Sequence, residues 1–186
     1  MKCLGNQPII KALKKIYFSN NLKEILSCSF QGCTSLTDVS FPESITKIGR
    51  CSFEGCEALK TVIIPSQVKR CSRGLFAECT SLETIELPEG IKVIEIDSCA
   101  FCKSLREIRL PSTVKKIDSY GFANCSKLSH IELPNTLEEI GISAFYQCDS
   151  LVSIEIPRSV KRIMPSAFYD CSFLETVIFN EGLENI

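Results

Sequence analysis

Apolar residues recur along this 186-residue chain at a fixed interval of 23 positions. Leucine marks the start of each interval, at positions 13, 36, 59, 82, 105, 128, 151 and 174. Aliphatic or aromatic residues hold the fourth and sixth positions of each interval, and a proline follows in six of them. A repeat of this length forms one coil of a solenoid rather than an independent domain, so the pattern predicts a stack of coils.

The repeated unit reads L-x-x-I-x-L-P-x-x-V-x-x-I-x-x-x-A/S-F-x-x-C. Its I-x-L part alternates every two residues, which predicts a strand, and proline ends this strand because it cannot donate a ladder hydrogen bond. Stacked coils would pair these strands as a parallel sheet. The V-x-x-I part predicts a second, shorter extended stretch, and A/S-F-x-x-C predicts a helical turn too short to be a helix.

The repeat also divides the chain. Residues 1–12 do not match it and form an N-terminal non-repeat segment, whereas residues 13–186 form a repeat domain of seven complete units and a truncated eighth. An uncapped last coil exposes apolar surface and open strand edges. We therefore expect either that the native chain continues or that uncapped repeats associate end to end.

The three blocks of the unit, repeated over residues 13–186, resemble the BspA-like, or treponemal-type, leucine-rich repeats. The resemblance implies a right-handed, curved α/β-type solenoid with a parallel β-sheet on its concave face, short turns or 3-10 segments elsewhere and little regular helix. It also implies a surface or secreted protein that binds other proteins. The family has no catalytic residues to transfer to this chain.

Composition and motifs narrow the function. The formal net charge of −1 predicts no general attraction for nucleic acid. No apolar run approaches the roughly 20 residues that span a bilayer, and residues 1–12 lack the apolar centre of a signal peptide. The compartment therefore stays open. His130 is the single histidine and no catalytic fingerprint is present, so we expect a non-enzymatic module without cofactor or metal.

Binding is the better-supported class, because residues flanking the fourth position of each unit must point out of the predicted sheet. They form two columns with an acidic middle around Arg109 and His130. The predicted protein-binding residues on this concave face are Tyr17, Ser40, Ile63, Glu86, Glu107, Arg109, His130, Glu132, Ser153, Glu155 and Ile178. The alternative is a self-paired charge ladder running from Glu86 through Arg109 to Glu132.

Lysine and arginine concentrate in two adjacent positions of the repeat and predict a basic ridge on another side of the solenoid. Its residues are Lys47, Lys69, Arg70, Lys92, Lys115, Lys116, Lys161 and Arg162. Such a ridge is one way to bind an anionic glycan, and the alternative is an ordinary solvated strand edge. A structural spacer between flanking domains is a further alternative function for the chain.

Seven of the 12 cysteines share one position of the repeat and form a cysteine column: Cys33, Cys56, Cys79, Cys102, Cys125, Cys148 and Cys171. Side chains that point the same way keep their Cβ atoms too far apart for disulfides, so we expect buried free thiols with weak hydrogen bonds to the corner backbone. Cys71 and Cys99 replace the isoleucine and phenylalanine of other units and read as core residues.

Aromatic residues make two further predictions. Phe101 lies two residues after Cys99, and we expect it to cover the gap that the smaller cysteine leaves in the corner. Tyr146 and Tyr169 occupy one column on neighbouring coils, with Phe173 nearby. They form either an aromatic contact patch or ordinary corner packing.

Overall fold

Two strands form in almost every coil of the computed structural model, which describes residues 10–185. The first set coincides with the I-x-L segments and forms the main sheet. Its strands are β1 (Lys15–Tyr17), β3 (Asp38–Ser40), β5 (Thr61–Ile63), β6 (Thr84–Glu86), β8 (Glu107–Arg109), β10 (His130–Glu132), β12 (Ser153–Ile156) and β14 (Thr176–Phe179).

The second set coincides with the V-x-x-I segments and forms the second sheet, as predicted. Its strands are β2 (Glu24–Ile25), β4 (Lys47–Ile48), β7 (Val93–Ile94), β9 (Lys116–Ile117), β11 (Glu139–Ile140) and β13 (Arg162–Ile163). In the third coil only Cys71 takes part, as an isolated parallel bridge to Ile94. The chain is therefore a parallel β-solenoid of about seven coils.

All strand pairs are parallel and in the register of the repeat. Val62 lies opposite Ile85, and Ile108 opposite Ile131, each pair 23 residues apart. Hydrogen bonding divides the main sheet into three groups, β1-β3, β5-β6-β8-β10 and β12-β14. The second sheet divides into β2-β4 and β7-β9-β11-β13. Both sheets thus contain places where neighbouring coils are stacked without a continuous strand ladder.

The core is a continuous column of repeated side chains. The leucines from Leu36 to Leu151 are fully buried in every coil, whereas Leu13 and Leu174 at the two ends are partly buried. Phenylalanine rings stack along the corner, with centroids 5.7 Å apart between Phe122 and Phe145. Shared burial between coils confirms the predicted common interior.

The corners are turns, and no helix occurs within residues 10–185, so none there could cross a membrane. Each complete corner holds two residues with positive φ, a conformation that glycine adopts freely and other residues adopt at some cost. One of these columns begins with Gly32 and Gly55 and includes Phe101, at φ 61°. The regular spacing of these residues closes each coil in 23 positions.

The prediction for Phe101 is wrong. Its side chain is 42% exposed, while Cys99 is fully buried. Phe101 shares its left-handed conformation with Glu78 and Asn124 at the same position of neighbouring coils, so the corner is not adjusted around it. A side chain at this position points away from the core. Cys71 and Cys99 are core residues, as predicted.

Residues 1–9 and Ile186 lie outside the described residues, so the predicted boundary at Leu13 and the truncated eighth unit stay predictions. The coil register is present at Lys11, because its carbonyl accepts a hydrogen bond from Ser35 N–H at 3.2 Å. The carbonyl of Thr34 accepts the equivalent bond from Ala58 N–H, also at 3.2 Å.

Candidate partner-binding face

The outward side chains of the main sheet form one exposed surface, which we call the main sheet face. In the central strands the middle residue is buried and both neighbours are exposed, because side chains of a strand alternate between its two sides. The main sheet face carries all the predicted protein-binding residues, and each of them is exposed: Tyr17, Ser40, Ile63, Glu86, Glu107, Arg109, His130, Glu132, Ser153, Glu155 and Ile178.

The predicted charge ladder on this face has the right register but not the ion pairs. Arg109 lies between Glu86 and Glu132 as their strand partner. Within residues 10–185, however, the ion pairs join other residues, and Arg109 takes part in none of them. The carboxylates of this acidic region are therefore not neutralised by Arg109.

A groove of about 370 Å³ opens on this face between β10 and β12, where the main sheet is interrupted. Glu132 and Glu155 stand on opposite strands of the groove, and His130 and Ile178 also line it. Asn180 holds one groove carboxylate, donating from Nδ2 to Glu155 Oε1 at 2.9 Å. The groove is therefore acidic, with an apolar side chain on the outer strand.

Apolar side chains are exposed on both sides of the acidic region. Ile63 is 58% exposed on the third coil, and Ile178 is 49% exposed on the outer strand. An exposed aliphatic side chain on a sheet face is common, but two that bracket carboxylates without an ion pair among residues 10–185 offer a mixed contact surface. The arrangement suits an elongated ligand with cationic and apolar groups.

The basic ridge predicted from the sequence lies on the second sheet and is largely neutralised. Lys47 pairs with Glu24 at 3.2 Å and Lys115 with Glu138 at 2.8 Å, in each case one coil away. Arg70 pairs with Glu95 at 2.6 Å. Most of this ridge is thus an alternating ladder of charges rather than a uniform cationic surface.

Glu139 is the centre of the strongest part of that ladder. Its carboxylate accepts hydrogen bonds from Arg162 Nε and NH2 at 3.1 and 2.6 Å, and it pairs with Lys116 at 3.0 Å. The Arg162 hydrogen bonds, joined by those of Lys116, hold the pKa of Glu139 below its ordinary value. The hydrogen bond to Glu139, together with the charge of Asp118, raises the pKa of Lys116.

The cysteine column consists of free thiols, as predicted. In six coils the thiol donates to a backbone carbonyl 26 residues earlier, over Sγ···O distances of 3.0–3.3 Å. Burial raises the pKa of Cys56 and of Cys125 to about 12. These thiols join adjacent coils and are poor nucleophiles. Cys28, outside the column, is disulfide-bonded.

Two remaining sequence features have structural counterparts. Tyr146 and Tyr169 stack with parallel rings at 5.8 Å, and Tyr169 and Phe173 are 62% and 65% exposed. Both alternatives, an aromatic contact patch and ordinary corner packing, stay predictions. Among the residues that the structure describes, no group of three or more histidines, cysteines and acids is placed to hold a metal ion.

The groove between β10 and β12 was not predicted from the sequence, although five of its lining residues were. The repeat is unbroken at this point, so no change of spacing marks the interruption. Asn180 replaces the proline that six other coils have at its position. That substitution was the available signal, because asparagine supplies the donor that now holds Glu155.

Comparison with known proteins agrees with this geometry. The family model for the BspA type leucine rich repeat region matches residues 10–117 and 94–186, with six copies of the repeat. No curated protein matches the chain. Among solved structures, a leucine-rich repeat protein from Bacteroides ovatus is 29% identical with a TM-score of 0.67, covering 93% of this chain and 57% of that one.

Two further solved structures are similar. A leucine-rich repeat protein from Eubacterium ventriosum is 25% identical with a TM-score of 0.79, covering 91% of this chain and 46% of that one. The T. pallidum leucine-rich repeat protein is 29% identical with a TM-score of 0.66, covering 84% and 63%. This chain thus spans less than two thirds of each relative. With its repeat matched along nearly its whole length, the chain belongs to the BspA-type leucine-rich repeat family.

Proposed function

We propose that this chain is a non-enzymatic recognition module that binds a protein through its main sheet face, as the adhesion segment of a larger surface or secreted protein. The observation that carries the proposal is the acidic groove between β10 and β12, whose Glu132 and Glu155 are exposed and make no ion pair within residues 10–185. The surface and adhesion role is supported by membership of the family alone.

The groove suggests the chemistry of the partner. Two carboxylates on neighbouring strands attract a lysine or arginine side chain, and charge complementarity of this kind favours specificity and rapid association. Ile178 supplies an apolar contact beside them, where a partner's aliphatic or aromatic group would exclude water. A basic segment with adjacent apolar residues is therefore the partner that fits best.

The test uses an array of extracellular proteins probed with the module. Reversing both groove charges in Glu132→Lys/Glu155→Lys should abolish capture of the specific partners. The matched control, Glu57→Lys/Glu78→Lys, makes the same change of net charge at two exposed positions outside the main sheet face and should retain them. Equal capture of partners by the parent module and by both double variants would reject the proposal and favour a spacer role.

Anionic glycan binding along the whole basic ridge is less well supported. Lys47, Arg70 and Lys115 each have a carboxylate within 3.2 Å, so the ridge offers few free cations. A polyanion would have to displace these acids. One short stretch of the ridge differs from the rest.

A further inference from the structure

The second sheet is interrupted at one place in the middle of the stack, between the second and third coils. In five coils the residue after the second strand donates its backbone N–H to the preceding coil, at 2.8–3.2 Å; the donors are Gly49, Glu95, Asp118, Gly141 and Met164. Ser72 occupies the same position in the third coil. Within residues 10–185 its N–H has no such acceptor.

The side chain of Ser72 shows where the bond is missing. Its Oγ donates to the Ile48 carbonyl at 2.7 Å, which is the acceptor that its N–H would use in a continuous ladder. Lys69 also lacks the inter-coil bond that Thr46 N–H makes with Lys23 O at 2.8 Å. Two main-chain donors of the third coil, three residues apart, therefore lack the inter-coil acceptors that Thr46 and Gly49 use in the second coil.

A groove of about 390 Å³ opens at this interruption. Four cationic side chains line it, namely Lys47, Arg50, Lys69 and Arg70, against one carboxylate, Glu95. The lining therefore carries four positive charges and one negative charge, a net charge of +3. No other stretch of the ridge combines unpaired backbone donors with this excess in the part of the chain that the structure describes.

Two of these cations are not neutralised. Arg50 makes no ion pair within residues 10–185. Lys69 Nζ donates to two neutral carbonyls, Ser66 O at 2.7 Å and Glu89 O at 3.2 Å, which lie outside the groove lining, so no carboxylate offsets its charge. By contrast, Lys115 on the same ridge meets a carboxylate at 2.8 Å.

We propose that this groove binds a sulfated or phosphorylated saccharide, with its oxyanion held by Arg50 and the free N–H of Ser72 and attracted by the positive charge of Lys69. A backbone N–H and an unneutralised cation that line the same groove can together bind an anion, since charge-assisted hydrogen bonds to oxyanions are strong. The groove volume lies in the range of small-ligand clefts and exceeds the needs of a lone oxyanion, which leaves room for a sugar ring.

The experiment is a 1H–15N NMR titration of the module with glucose 6-sulfate and glucose 6-phosphate at constant ionic strength, with glucose as the neutral comparison. Saturable shifts should appear at the Ser72 and Lys69 amides with either anionic sugar, and glucose should cause none. The sugar that binds with the higher affinity identifies the preferred anion, and either order of affinities supports the proposal.

Variants separate a local site from general attraction. Arg50→Gln/Lys69→Gln should weaken binding about tenfold or more, since it removes both unneutralised cations. Lys115→Gln/Lys161→Gln removes the same charge from the basic ridge outside the groove and should leave the affinity unchanged. Both pairs are exposed, and a thermal unfolding curve checks that each variant is folded.

Three results would overturn the proposal: no saturable shift, equal binding of glucose, or equal weakening by both pairs of substitutions. The last would show attraction by the whole ridge rather than by the groove. Failure here would leave the proposed protein-binding role intact, because that role rests on the opposite sheet and on acidic residues.

Discussion

Truncation of one central leucine tests whether the coils share a single interior. Leu105 is fully buried between Leu82 and Leu128, which are equally buried on the adjacent coils. Leu105→Ala removes buried apolar atoms, and strand ladders on both sides keep the neighbouring coils from closing the cavity. We expect a loss of about 3–5 kcal/mol of unfolding free energy, the upper part of the range for such changes.

The matched substitution is Leu174→Ala, at the same repeat position near the end of the stack. Leu174 is only partly buried, so it loses less transfer free energy and leaves a site that solvent can enter. We expect a cost of about 1–2 kcal/mol. The comparison isolates position in the stack, because the residue type and its place in the coil are identical.

Urea denaturation followed by circular dichroism provides the assay. With a slope of about 2–3 kcal/mol/M, the Leu105 variant should unfold at a urea concentration about 1–2.5 M lower than the parent. The slope itself should stay constant if the stack unfolds as one unit. Equal costs for the two leucines, or a cost below about 1.5 kcal/mol at Leu105, would refute the reasoning.

Three further outcomes follow from the structure. The Cys125 thiol, with its pKa raised to about 12 by burial, should resist a thiol reagent at pH 8 and react on denaturation; immediate labelling would contradict the buried column. Since Arg162 holds the pKa of Glu139 below its ordinary value, the stability that Glu139→Gln removes should be present at pH 6 and shrink toward pH 3; a pH-independent difference would argue against the ion pair. Gly49→Ala, whose Cβ would meet the backbone of the preceding coil, should cost about 3 kcal/mol. Gly55→Ala should cost about 1 kcal/mol, because Gly55 has positive φ but its Cβ would make only ordinary van der Waals contacts with Gly32; calorimetry compares the two variants.

Residues governed by the repeat could be predicted from the sequence. The leucine period placed Leu105 in the core and His130 on the exposed face, because a coil of fixed length stacks identical positions over one another. The shared repeat position of the seven cysteines likewise predicts that they form one column. Burial of each corner then predicts that each thiol donates a hydrogen bond to a nearby backbone carbonyl.

Departures from the repeat were harder to predict. Hydrophobicity alone predicts that Phe101 packs against the core, although its position holds glycine in Gly32 and Gly55 and asparagine in Asn124. Those residue types indicate a left-handed turn, which directs the side chain outward. The residue types that occupy this position in the other coils therefore predict the direction of the Phe101 side chain better than its hydrophobicity does.

The two grooves could not be predicted from the spacing of the repeat, which stays at 23 residues where both open; the substitutions Asn180 and Cys71 mark these coils without indicating a groove. Whether neighbouring coils complete a strand ladder depends on differences of a few tenths of an ångström in separation, which residue spacing does not encode. The sequence also does not determine which carboxylate, if any, each basic residue of the ridge meets. Only the structure shows that Arg70 meets Glu95 while Arg50 meets no carboxylate among residues 10–185.

The most direct test of the proposed recognition role is hydrogen exchange of the module alone and in complex with a partner that the array identifies. Protection on binding should concentrate in residues 130–135, 153–157 and 178–180, which line the acidic groove. The second sheet and the corners should exchange as in the free module. Protection confined to the corners or to the basic ridge, with the groove unchanged, would contradict the account.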